Sequence, residues 1–308
     1  MGAIRSRAVA SARELIVLGT AGQSPTLTRS QSSYVLRWLD ELIVIDPGEG
    51  TQRQLLSSEV HTSRITRVLV THFHGDHCLG LPGLVQRRRL LGAHAPLPIH
   101  YGEWGDEHLD GLLTGSDIDF DLGIERHPHA PGTIEHLGAL DLTGLALDHS
   151  VATIGWRLDE PAGPHLLPER LDELGIQGAD IGRLRSEGRL ELDGRTVELD
   201  EVSEVRRGRS FAFVMDTRLC DNARRLAEGV DLLVCESTYL HDDADRARDN
   251  GHLTAIQAAQ LAADAGVGRL VLSHFSERYD DLDPFEHEAA TIFPDVVVAR
   301  DLDVVPVP

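Results

Sequence analysis

Lysine is absent from this 308-residue sequence. All 29 basic side chains are arginine, set against 50 aspartates and glutamates, and the formal net charge is −21. A polyanion therefore meets general repulsion, so any nucleic-acid contact must be local, made by arginine clusters or bound metal. Cysteine is scarce as well. Cys78, Cys220 and Cys235 are odd in number and lack a close CxxC spacing. That excludes a disulfide scaffold and a structural zinc knot, and it points to a reducing compartment with these residues as small core fillers. No apolar run is long enough to span a bilayer, which removes a membrane reading. Residues 1–12 carry Arg5 and Arg7 but no apolar segment. They read as a frayed terminus rather than a secretion signal, and the expected location is cytoplasmic.

What remains is an ordinary folding composition, 41% hydrophobic and 26% charged, long enough to bury a substantial core. Short apolar strands recur, and most end on a polar residue. Residues 14–20 form a strand that breaks near Gly19. Residues 33–39 and 42–45 make a hairpin that delivers Asp46, with Pro47-Gly48 as breaker. A helix is predicted at 51–57, and a strand at 65–71 runs directly into His72. Residues 81–92 suit a helix starting near Pro82. Residues 97–138, rich in glycine, proline and acid, give no firm pattern, and 142–148 and 153–158 read as a strand pair around His149.

Residues 159–209 differ in texture. Pro161, Gly163, Pro164 and Pro168 open the stretch, a helical run covers 169–174, and 178–194 is polar. Its cations include Arg183, Arg185, Arg189, Arg195, Arg206, Arg207 and Arg209. A protruding arm and a plain surface connection fit equally. The strand–helix rhythm then returns: strands at 210–215, 231–235 and 269–273 end at Asp216, Glu236 and His274, and a last strand is expected at 296–299. A helix covers 221–228, and another covers 254–265, capped by the Thr254/Gln257 box and stopped by Gly266.

In α/β folds, polar residues at several strand ends converge on one site. His72, His74, Asp76 and His77 place four metal-binding residue types within six positions, on a loop that Gly75 can tighten. Zinc takes imidazole and carboxylate donors at about 2 Å. Two metals about 3.5–4 Å apart need further ligands from distant segments. Asp216, His274 and His149 are suitable, although by spacing alone each could equally be an ordinary polar residue. His61, His94, His100, His108, His127, His129, His136, His165, His241 and His287 lack such context and read as surface residues. Tyr34, Tyr101, Trp104 and Trp156 read as core, and one or two of Arg87, Arg88 and Arg89 as phosphate contacts. Asp76 is the candidate for orienting an attacking water and accepting its proton.

The segment THFHGDHCLGLPGL is similar to the signature of the metallo-β-lactamase superfamily, and nearly the whole chain resembles its ribonuclease Z family. The resemblance includes LGTAGQSPT, DPGEGTQRQL, DTR, EST, GHLTAIQAA and LSHFSERY. It implies an α/β four-layer αββα sandwich, one domain over 1–308 with 159–209 as an inserted tRNA-binding arm, and a homodimer. It implies two divalent ions, Zn2+ first and Mn2+ or Mg2+ as alternatives. One would be held by His72, His74 and His149 and the other by Asp76, His77 and His274, with Asp216 bridging. The implied reaction cuts the 3′ trailer from precursor tRNA, leaving a 3′-hydroxyl on the tRNA and a 5′-phosphate on the trailer. His252 would give a proton to the leaving oxygen or contact the phosphate, and Glu236 would hold His252. Asp46 would orient a ligating histidine, and Arg29 would contact the RNA end.

Two departures stand out. Where the family often has Gly-Pro and lysines in the arm, this chain reads GADIGRLRSEG, and Pro47 replaces a common cysteine. The competing readings are a small-molecule phosphodiesterase or arylsulfatase of the same superfamily, and a metal-dependent RNA-binding protein without catalysis. The arm-like stretch and the HLTA and HFSERY segments favour the RNA enzyme, while the complete ligand set disfavours a non-catalytic binder. A β-lactamase is disfavoured by the RNA-type C-terminal signature.

Overall fold

The computed structural model describes residues 13–117, 121–192 and 194–308; the expectation for residues 1–12 lies outside them. The first sheet takes β1 (Arg13–Gly19), β2 (Ser33–Trp38), β3 (Glu41–Ile45), β4 (Arg67–Leu69), β5 (Leu97–Gly102) and β6 (Ile124–His129). The second takes β7 (Ile134–Leu137), β8 (Leu140–Leu147), β9 (Thr153–Asp159), β10 (Ser210–Val214), β11 (Leu232–Glu236), β12 (Arg269–Ser273) and β13 (Val296–Val298). The chain then returns to the first sheet as β14 (Val304–Pro306). Spatial order is β14-β1-β2-β3-β4-β5-β6 in one sheet and β13-β12-β11-β10-β9-β8-β7 in the other.

Both faces of each sheet are covered, which is why the central strands read as unbroken apolar runs rather than alternations. On the outer face of the first sheet, Leu55 of α1 (Thr51–Ser57), Leu81, Leu84 and Val85 of α2 (Leu81–Leu90) and Leu109 of α3 (Asp106–Leu113) pack with Val44, Val68 and Ile99. On the second sheet α4 (Asp221–Ala227), α5 (Ala255–Ala265) and α6 (Asp283–Ala290) do the same over Ala212, Val214, Leu233 and Leu270. The inner faces meet each other. Tyr34 of β2 lies edge-on to Phe213 of β10, with centroids 5.1 Å apart, and its hydroxyl pairs with Ser273 Oγ at 2.7 Å. The result is a four-layer αββα sandwich.

Strand direction positions the site. β3, β4, β5 and β6 are mutually parallel, as are β10, β11, β12 and β13. Their C-terminal ends therefore share an edge within each sheet, and the residues that follow them gather there. Residues 97–138, which gave no firm pattern, hold β5, α3, β6 and β7. Proline inside β5 (Pro98) and β6 (Pro128) hid them, since proline costs a ladder bond and is tolerated mainly at sheet edges, where β6 lies. No helix among the described residues is long and apolar enough to cross a membrane.

The chain forms two compact units. One ends at Glu135, resumes over Leu142–Leu158 and again over Ser210–Pro308, and the other comprises His136–Asp141 and Asp159–Arg209. The second unit pairs Gly163–Leu166 with Ser203–Arg206 and Arg189–Leu192 with Arg195–Glu198, both antiparallel. It also carries helices Pro168–Glu173 and Ala179–Glu187, the latter within residues read as merely polar. Leu166, Leu171, Ile176, Leu184, Leu190, Val197 and Val202 give it a core of its own.

Candidate metal centre

Three strands end in left-handed backbone at an aspartate or histidine: Asp46 (φ 48°) after β3, Asp216 (φ 55°) after β10 and His274 (φ 62°) after β12. Gln23 adopts the same conformation (φ 60°) in the loop after β1. Non-glycine residues avoid this region and keep it only where surrounding bonds over-determine them. Asp46 illustrates the bracing. Its N–H donates to Leu69 O at 2.9 Å. Its carboxylate accepts Thr71 N–H at 2.7 Å and the Thr71 hydroxyl at 2.7 Å.

These bonds also fix the proton on each ring. Asp46 Oδ2 can only accept, so His77 donates to it through Nδ1 at 2.9 Å. The Thr71 hydroxyl has spent its hydrogen on Asp46, so it accepts from His72 Nδ1 at 3.0 Å. Gly251 O accepts His149 Nδ1–H at 2.9 Å. The Thr238 hydroxyl donates to Glu236 Oε2 at 2.7 Å and accepts His274 Nδ1–H at 2.8 Å. In its neutral form each of these four rings carries its bare lone pair on Nε2. Outer partners of this kind are how proteins orient ligating histidines.

All four bare nitrogens point at one another. His72 Nε2 lies 3.0 Å from His74 Nδ1, which is 3.4 Å from His149 Nε2. His77 Nε2 lies 3.3 Å from His274 Nε2 and 3.2 Å from Asp76 Oδ2. Asp216 stands between the groups: Oδ2 is 3.5 Å from His72 Nε2 and 3.4 Å from His77 Nε2, and Oδ1 is 3.2 Å from His274 Nε2. That Oδ1 is buried without a hydrogen-bond partner. Buried lone pairs facing one another at these distances repel unless a cation lies between them, and an orphan carboxylate oxygen is costly unless it serves as a ligand. Two donor sets result, His72/His74/His149/Asp216 and Asp76/His77/His274. Nitrogen and carboxylate donors at this density suit zinc-class ions, and a pair of them fits the residues present.

The electrostatics agree. Burial holds the His72 pKa well below its ordinary value, so that ring is neutral. Burial alone would lower His77 too, but the Asp76 and Asp216 carboxylates raise it well above normal. Burial would raise Asp76 and Asp216, yet the surrounding imidazoles drive both below the usual carboxylate range.

Beside it, His252 Nδ1 pairs with Glu236 Oε1 at 3.0 Å. Burial pulls its pKa down, but Glu236 outweighs this and raises it to about 9. Glu236 also accepts Thr217 N–H at 2.6 Å and Leu253 N–H at 3.0 Å. One buried carboxylate thus holds His252 directly and His274 through Thr238. His74, Asp76, His149, Asp216, His252 and His274 open on a cavity of about 620 Å³ whose rim includes Gln23, Gln31, Tyr239 and Asn250.

All seven expected ligands, with His252, Glu236 and Asp46, are thus brought together. Arg29 points elsewhere. It is buried, and its guanidinium donates to Tyr279 O at 2.8 Å and Ser276 O at 3.1 Å, bracing the loop after β12 rather than meeting solvent. Arg88 is likewise buried, donating to Ile65 O and Ala95 O. His100 and His129, expected at the surface, are buried. Sequence reasoning missed Thr71, Thr238 and the Gly251 carbonyl. The available signal was a hydroxyl directly before His72 and another two residues after Glu236. Gly251 is constrained twice: its φ is +81°, and a Cβ there would lie 2.9 Å from His149 Nδ1.

Two stacked sheets with a His/Asp cage at their strand ends define a metallo-β-lactamase-fold hydrolase. Residues 27–161 match the metallo-beta-lactamase superfamily, and 201–275 match a beta-lactamase superfamily domain. The solved metallo-beta-lactamase fold protein YhfI from Bacillus subtilis shares this fold, with a TM-score of 0.71 at 19% identity over 96% of this chain and 99% of that one. Within that class the chain belongs to the ribonuclease Z family. It is 51% identical to ribonuclease Z of Nocardia farcinica over 97% of this chain and 99% of the relative. The short form of human tRNase Z superposes with a TM-score of 0.68 at 26% identity, covering 96% of this chain and 99% of that one.

Proposed function

We propose that this chain is a zinc-dependent endoribonuclease that removes the 3′ trailer from precursor tRNA, leaving a 3′-hydroxyl on the tRNA and a 5′-phosphate on the trailer. The observation that carries the reading is a carboxylate, Asp216, that lies within 3.5 Å of imidazole nitrogens in both donor sets, with a cationic histidine in the same cavity. Relatives named ribonuclease Z over nearly full length supply the substrate class. His72, His74 and His149 would hold one ion, Asp76, His77 and His274 the other, and Asp216 both. Bound there, the pair would supply charge neutralisation for the phosphodiester and make water a stronger acid.

The chain's own groups do the rest. Asp76, fixed by the Gln23 N–H at 2.7 Å from Oδ2, orients the attacking water and accepts its proton. His252, held in its charged form by Glu236, gives a proton to the departing 3′ oxygen. Asp46 and Thr71 orient His77 and His72. Arg29 acts as a brace for the 276–279 loop. The second compact unit, Asp159–Arg209 with His136–Asp141, would grip tRNA away from the cut. Four of its arginines are paired within the unit, Arg170 with Glu173, Arg183 with Asp180, Arg195 with Glu201 and Arg206 with Glu204. The reading carries with it a cytoplasmic homodimer.

The test is incubation of zinc-loaded protein with a tRNA bearing a 3′ extension, with both new termini mapped. Cleavage after the discriminator region with the stated ends supports the proposal. Rapid turnover of a small phosphodiester beside no cleavage of the tRNA would overturn it.

A further inference from the structure

A second cluster of donors stands apart from the cavity. β5 and β6 run parallel, with His100 beside His127 and Gly102 beside His129. The three histidines therefore share one face of the first sheet, and Glu135 reaches them from β7, the outer strand of the second sheet. His100 Nδ1 lies 3.1 Å from His129 Nε2 and 3.2 Å from Glu135 Oε2, and His129 Nε2 lies 2.8 Å from the same oxygen. We propose that His100, His129 and Glu135 form a third cation site, of the zinc class, that clasps the outer strands of the two sheets together.

The donor set is two imidazoles and a carboxylate with one position left for solvent. Bonds of about 2.0–2.2 Å in a tetrahedron separate ligand atoms by about 3.3–3.5 Å, so the cluster need open by only a few tenths of an ångström. The other Glu135 oxygen accepts His127 Nδ1–H at 2.9 Å, which aims the carboxylate. His100 and His129 are buried while Glu135 is partly exposed, giving an ion a way in.

Arg67 sets the strength of the site. Its Nη1 lies 3.3 Å from His100 Nε2 and can only donate, which leaves the His100 proton on Nδ1, facing Glu135. Uptake of an ion moves that proton to Nε2, where it meets a donor, so Arg67 must turn toward Glu41, to which it already makes bonds of 3.0 and 3.1 Å. No proton is gained or lost by the ring. A glutamine at 67 offers an acceptor to Nε2–H instead.

Chelator-stripped protein titrated with Zn2+ against an indicator tests the site. Wild type is expected to take up about three ions per chain, and His129→Gln and Glu135→Gln about two, with cleavage of precursor tRNA retained. Arg67→Gln keeps all three ligands and is expected to bind the third ion at least tenfold more tightly, a reading that stands even if a ligand variant fails to fold. Saturation of wild type at two ions, a third ion retained in both ligand variants, or an unchanged third affinity in Arg67→Gln would each overturn the proposal.

Discussion

At the scale of single residues, the cage depends on groups that never touch an ion. Thr238 is the clearest case, because its one hydroxyl settles which nitrogen of His274 is bare. Thr238→Val removes that acceptor and is expected to weaken the zinc equivalent that His274 helps to hold by about 10–100-fold, with Thr238→Ser restoring it. Competition titration reads this without any turnover assay. Asp76→Ala is expected to lower tRNA cleavage by at least about 10²-fold while the circular dichroism melt changes little. Near-normal turnover at full metal content would remove Asp76 from its role. The ligands were legible because His72, His74, Asp76 and His77 crowd one loop. Thr71, Thr238 and the Gly251 carbonyl were not, since a hydrogen bond across 102 residues, as between Gly251 and His149, leaves no local pattern. Arg29 misled for the same reason: its partners lie roughly 250 residues away.

At the scale of elements, the strand ends at Asp46, Asp216, Glu236 and His274 could be read because buried parallel strands are short apolar runs with abrupt polar stops. β5 and β6 could not, because proline and three histidines interrupt them. Those histidines occupy an inward face at the sheet margin. Acid should find this weakness. His100 is depressed to about 4 and Glu135 to about 2, so both forms that favour the fold are fully present at neutral pH. The His100 contribution is lost as pH falls from its unfolded value toward 4, and that of Glu135 as pH falls from its own toward 2. Melting temperature in chelator is expected to drop below pH 6, and below the ordinary glutamate value of 4.5 less steeply in Glu135→Gln, which lacks that carboxylate; identical limbs there would contradict this. α5 shows the opposite, a purely local signal. Thr254 Oγ1 accepts Gln257 N–H, and Gln257 Oε1 accepts Thr254 N–H at 2.9 Å. Thr254→Ala is expected to cost about 1 kcal/mol in urea unfolding.

At the scale of the whole molecule, the excess of acid must be reconciled with an RNA substrate. Residues 159–209 alone hold 13 acids against 8 arginines, a balance of 8 − 13 = −5. A uniform electrostatic grip is thus ruled out in favour of discrete contacts. The stretch can be removed cleanly, since Glu160 N–H donates to Arg209 O at 2.8 Å and its two ends meet. Deleting 161–208 with a short linker is expected to weaken tRNA binding tenfold or more and leave hydrolysis of a small diester within about threefold. Equal losses on both substrates would refute its role as a grip.

The left-handed turns at Asp46, Asp216 and His274 have one more consequence. Strain accepted during folding is not demanded again later, so the receptacle stands ready-made before any ion arrives. Loading then resembles a key dropping into a cut lock.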